Sequence, residues 1–97
     1  MVVLCTAGNN EADKLAEALV NEKLAACVNA APVRSCYIWE GKLCWDGEVL
    51  LIIKTAAERA EAIKKRITEM HSYAVPEIIV LPIIDGSSAY LDWVSSS

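Results

Sequence analysis

The sequence predicts an α+β fold of ferredoxin-like type. Its elements run β-α-β-β-α-β, forming an antiparallel sheet with two helices on one face and a short C-terminal helix. Three observations carry this expectation. Two segments place apolar residues at helical spacing, and they alternate with β-rich runs bounded by turn residues. The stretch from Leu24 to Thr55 holds two long limbs rich in β-branched and aromatic side chains, the composition of a hairpin. The chain has 97 residues, the size of one domain, so residues 1–97 are expected to build a single sheet and core.

Val2 to Thr6 is a continuous apolar run, as in a strand covered on both faces and central in its sheet. Ala7-Gly8-Asn9-Asn10 breaks it, and Asn10 is suited to cap a helix with Asp13 in the first turn. Ala12, Leu15, Ala16, Leu19 and Val20 then share one helical face, opposite Glu11, Lys14, Glu17 and Glu22. This helix should end near Asn21 to Lys23.

A long strand follows from Ala25 to Trp39. Pro32 within it implies an edge position or a bulge, and a bend there would separate Ala25–Ala30 from Val33–Trp39. The segment from Glu40 to Gly47, with a glycine near each end, is expected to link it to a central return strand, Glu48–Lys54. Thr55 and Glu58 have the spacing of a capping box for a second helix. Ala56, Ala60, Ile63, Ile67 and Met70 form the buried stripe of that helix, which should stop at His71-Ser72-Tyr73. Pro76 favours an extended approach to a fourth strand over Ile78–Ile84. Asp85-Gly86-Ser87 reads as a turn, Ser88–Val94 as a short helix, and the three terminal serines as a loose tail.

The hairpin is too long for the core of so small a domain. A typical strand has about five or six residues, and the first limb greatly exceeds that. The overhang, together with an apolar share of 55%, calls for a partner, most economically further copies of the same chain. Tyr37, Trp39, Trp45, Tyr73, Tyr90 and Trp93 suit such an interface.

The formal net charge of −4 gives no global electrostatic case for nucleic acid or an anionic membrane. The one basic cluster, Lys64-Lys65-Arg66, falls near the end of a helix, where it complements the dipole. No run of about twenty apolar residues is present to span a bilayer, and no secretory leader pattern opens these residues. Cys5, Cys27, Cys36 and Cys44 form no C-x-x-C pair, so a zinc ribbon or dithiol redox site is not expected. In a cytosolic protein the four cysteines are expected to be reduced, small and buried rather than disulfide-bonded.

Chemistry-bearing residues are few. His71 is the single histidine, placed where a helix terminus would stabilise it. Cys5 lies at the end of the first strand, among core residues. Glu40, Asp46, Glu48 and Glu77 lack the paired spacing of general acid/base groups, and no glycine-rich phosphate loop occurs. No catalytic activity is expected.

The motifs taken together resemble the CutA family of divalent-cation tolerance proteins over nearly the whole chain. They are Cys5-Thr6-Ala7; Leu24 through Asn29; Ser35, Tyr37, Trp39, Glu40, Gly41 and Lys42; Glu48 with Lys54-Thr55; His71 with Tyr73, Pro76 and Glu77; and Tyr90-Leu91 with Trp93. The resemblance implies a cytoplasmic homotrimer built through the hairpin 24–55, linked to tolerance of copper and other divalent metals and without established catalysis. It also implies a metal site to which Cys5 and His71 correspond. Met70 stands where the family has a first histidine, and Ser72 where it has proline. Methionine in that place favours Cu(I) over harder ions.

Two other functions fit the same features. A trimeric signalling module resembling the PII regulators would bind a small anion between subunits, with Lys42 and Lys54 as contributors. A structural trimer would recruit another protein through Glu40, Gly41 and Lys42 at the hairpin tip.

Overall fold

The computed structural model describes residues 1–97 and contains the expected order of elements. Strands β1 (Val2–Ala7), β2 (Cys27–Trp39), β3 (Lys42–Lys54) and β4 (Ile79–Leu81) form one antiparallel sheet in the order β2-β3-β1-β4. Helices α1 (Ala12–Asn21) and α2 (Ala60–Met70) cover one face, with a 3₁₀ turn at Ala57–Arg59 leading into α2. Helix α3 (Ser88–Ser96) closes the chain. This is the ferredoxin-like α+β arrangement.

The core lies between the helices and alternate residues of the central strands. Val3, Cys5 and Ala7 of β1 stand directly opposite Ile53, Leu51 and Val49 of β3, on the face that Leu15, Leu19, Ile63 and Ile67 cover. The intervening residues Val2, Leu4 and Thr6, opposite Lys54, Ile52 and Leu50, point the other way and are half-buried. Ile79 and Leu81 of β4 share that second face, at 46% and 42% exposure. β1 is thus central, as its apolar run predicts, but the chain covers only one of its faces.

Several local expectations are corrected by tertiary contacts. Pro32 introduces no bulge: it pairs in register with Val49, and β2 runs unbroken because it is an edge strand whose outer side needs no N–H. The return strand begins at Lys42 rather than Glu48, since Asp46-Gly47 lies in the ladder opposite Ser35 and Arg34. The turn is the two-residue Glu40-Gly41, with φ of 50° and 77°, the left-handed geometry of a tight hairpin. Asn10 does not cap α1, whose N-terminal residue Glu11 makes no side-chain cap bond.

Thr55 does not cap a helix either; its hydroxyl donates to the Leu24 carbonyl at 2.7 Å. β4 is confined to three residues, because Pro82 has no N–H to continue the ladder. The terminal serines are tied down: Ser96 and Ser97 hydroxyls donate to the carbonyls of Asp92 and Trp93, and Arg59 donates to the carbonyl of Ser97.

The hairpin projects beyond the rest of the sheet. β1 reaches only Val49 of β3, so Lys42–Glu48 has β2 as its sole neighbour. The molecule measures 45 × 25 × 21 Å with a radius of gyration of 14.1 Å, against about 12.5 Å for a compact domain of this length. On the projection Ile38, Trp39, Leu43 and Trp45 are each more than half exposed.

Candidate functional site

Cys5 and His71 meet at the C-terminal end of β1. α2 ends because His71 turns extended, at φ −72° and ψ 139°, after its N–H reaches the Ile67 carbonyl. That turn inserts the imidazole beneath the sheet end. Nε2 donates to the Thr6 carbonyl at 2.7 Å, since a carbonyl can only accept. Nδ1 accepts the Tyr73 N–H at 3.1 Å, which leaves Nε2 as the donor nitrogen. Glu11 Oε1 lies 3.3 Å from the same Nδ1 and also accepts the Ser72 N–H. The Ser72 bonds hold the Glu11 carboxyl below its ordinary range.

Cys5 Sγ donates to the same Thr6 carbonyl at 3.6 Å. The two residues singled out by the sequence therefore converge on one oxygen, although they stand 66 positions apart on different elements. Their resting states do not suit a metal. Burial pushes the Cys5 thiol up to about 12, and the carboxylates of Glu77, Glu11 and Glu48 push the same way. A thiol, not the ligating thiolate, is present at neutral pH. Both ring nitrogens of His71 are engaged, and Met70 packs partly buried against the core. No three side chains of His, Cys, Asp or Glu are arranged to hold an ion.

On the other face, next to Thr6, lies a cavity of about 500 Å³. Its walls are Tyr37, Trp39, Asp46 and Glu48 from the hairpin, with Tyr73 to Val75 and Glu77 from the segment after α2. Strand alternation aims the four hairpin residues inward: Tyr37 and Trp39 are odd-numbered on β2, and Asp46 and Glu48 pair with odd-numbered β2 residues. Glu48 is only 8% exposed, and its Oε2 accepts the Tyr73 hydroxyl at 3.0 Å. Asp46 accepts the Tyr37 hydroxyl. Burial and the Glu48 bond push the Tyr73 phenol up to about 12; the Asp46 bond does the same for Tyr37. Neither carboxylate has a basic partner.

The sequence did not single out this cavity, the placing of Glu11 beside His71, or that of Glu48 and Glu77 in the cavity wall. Those carboxylates come from three separate stretches of chain, so no spacing rule could gather them. The 25-residue separation of Tyr73 and Glu48 is equally silent. Lys42 and Lys54 do not share a site within one chain. They occupy opposite ends of a thirteen-residue strand, roughly 40 Å apart at the rise of a strand.

Comparison with known proteins places these features in a family. The family model described as "CutA1 divalent ion tolerance protein" matches residues 1–97. The divalent-cation tolerance protein CutA of Thermus thermophilus is 46% identical over 95 residues, covering 96% of this chain and 92% of its own. The chloroplastic protein CutA of Arabidopsis thaliana is 50% identical over 99 residues, covering all of this chain but 54% of its own length. The chain thus spans about half the length of that plant relative. Among solved structures, the PII-like protein CutA from a Nostoc species, in apo form, superposes with a TM-score of 0.94 at 34% identity, covering 98% of this chain and 93% of that one. The Thermus thermophilus structure gives 0.92 at 44% identity, covering 98% and 94%.

Proposed function

The chain belongs to the CutA1 divalent ion tolerance family, and from that premise we propose that it acts as a cytoplasmic homotrimer in divalent-cation tolerance, copper foremost, without catalysing a reaction. One observation carries the assembly: the second face of the sheet is apolar and has no cover within the chain. The accessible surface is 6194 Å², against about 5,500 Å² for a monomer of this mass. The projecting hairpin carries much of the exposed apolar surface, with Ile38, Trp39, Leu43 and Trp45 each more than half exposed. Two further copies would bury Leu4, Ile52, Ile79 and Leu81 and give the hairpin a surface to grip. Sedimentation equilibrium tests this: a mass of three chains supports the reading, and a single-chain mass at micromolar concentration overturns it.

For the metal, Cys5 and His71 offer soft and borderline donors suited to copper. Engaging them requires loss of the thiol proton and release of the Thr6 bond, so binding should strengthen with pH. Titration of copper into reduced protein should show weaker binding in both Cys5→Ala and His71→Ala. Equal affinity and stoichiometry in all three proteins would remove the pair from the assignment.

A further inference from the structure

The cavity beside Thr6 has a chemistry different from that of the Cys5–His71 pair. Three of its walls are aromatic, Tyr37, Trp39 and Tyr73, and its charged side chains are all acidic: Asp46, Glu48 and Glu77. Its volume, about 500 Å³, falls in the range of small-molecule sites. A charge is rarely buried without compensation, since desolvation of an unpaired carboxylate is costly. Glu48 meets that rule only by keeping one oxygen open. It is more than nine-tenths buried, no lysine, arginine or histidine pairs with it, and its Oε1 makes no hydrogen bond. Every fully buried side-chain oxygen in the molecule has a partner, so the free Oε1 keeps its access through the cavity that Glu48 lines.

We propose that this cavity binds a small organic ammonium ion, with Glu48 supplying the counter-charge and Tyr37, Trp39 and Tyr73 the aromatic faces. An anion is disfavoured there, since three carboxylates and no base line the walls. A bare divalent cation is disfavoured as well, because no set of three donors is arranged around a common point. An ammonium group carried on an apolar body suits both halves of the lining: the carboxylates balance its charge, and aromatic faces attract cations through their quadrupole. The named walls come from one chain, and four of them stand on the hairpin that the assembly would grip, so the inference goes beyond the metal reading while sharing a face with the proposed interface.

Calorimetric titration tests it on the full chain, using choline, tetramethylammonium and the uncharged choline isostere 3,3-dimethylbutan-1-ol. Saturable binding of the ammonium probes, one per chain, is expected, with the alcohol at least about tenfold weaker for want of the charge. Glu48→Gln keeps an acceptor for Tyr73 and removes the charge, and should weaken choline about tenfold; Glu77→Gln, at an exposed position, should weaken it less. Failure of both ammonium ions to saturate, equal binding of the alcohol, or indifference to Glu48→Gln would each overturn the proposal. Sedimentation of the same samples separates the two readings. A trimer that ignores choline defeats this inference alone, whereas a single chain that binds it defeats the assembly alone.

Discussion

The two faces of the sheet are built from alternate residues of the same strands, yet they have different physical tasks. On the helix face Val3, Cys5, Leu51 and Ile53 are fully buried. On the opposite face Leu4 and Ile52 are partly open, while Ile79 and Leu81 stand over two-fifths exposed. Both faces are largely apolar, although Thr6 and Lys54 fall on the open one, so hydrophobicity alone does not set the difference. It comes from the supply of cover: two helices suffice for one side of a four-stranded sheet and leave none for the other. An apolar face of this extent is an intermolecular surface by default.

Adjacent residues on β3 give the sharpest way to break the contrast. Leu51→Ala opens a hole between Cys5 and the helices and should cost about 3 kcal/mol, in the range of buried leucine truncations. Ile52→Asp, one residue later, should leave the helix-face core intact. It should keep the circular dichroism of the fold while lowering the sedimentation mass from three chains to one. If Ile52→Asp instead unfolds the chain at any concentration, the open face belongs to the core of the single chain, and the division between the faces fails.

Cys5 gives the next test. The folded chain holds its thiol to about 12, against an ordinary 9.0. Between those values the unfolded chain has released the proton and the folded chain has kept it. Stability from this group is therefore full below pH 9.0 and is lost as pH rises towards about 12. Cys5→Ala should flatten the decline in urea midpoint across that window. At neutral pH iodoacetamide should modify the exposed Cys36 first and Cys5 only on unfolding. Prompt modification of Cys5 in the folded protein would show that the helix face is not closed.

Much of the architecture is legible in the sequence because it rests on local pattern. The α1 stripe at Ala12, Leu15 and Leu19 is the buried face in the structure, and Ser87 of the expected turn accepts the Tyr90 N–H as the cap of α3. The failures occur where a distant residue claims a group with a local alternative. Thr55 and Glu58 spell a capping box, but the Leu24 carbonyl, 31 positions away, takes the Thr55 hydroxyl. Asp46-Gly47 spells a turn, but pairing with Ser35 and Arg34 keeps both in β3. At the candidate site, the ends of the constellation, Cys5 and His71, carry recognisable chemistry. Glu11 beside His71 and the carboxylates of the cavity wall are gathered by folding alone.

Polar contacts on the two sides should differ less than the apolar ones, and in the same direction. Thr55 is fully buried, and its hydroxyl serves the Leu24 carbonyl between α1 and β2. Thr55→Val preserves shape and removes that donor, for an expected loss of about 1–3 kcal/mol as the acceptor stays buried. Tyr73 is 41% exposed where it meets Glu48. Tyr73→Phe removes a comparable bond, but water entering the cavity can serve the carboxylate, so the loss should stay under about 1 kcal/mol. Urea unfolding of the two variants at one protein concentration makes the comparison. A larger loss for Tyr73→Phe would mean that the cavity is closed to water in the assembled protein, placing Glu48 in an interior as complete as that of Thr55.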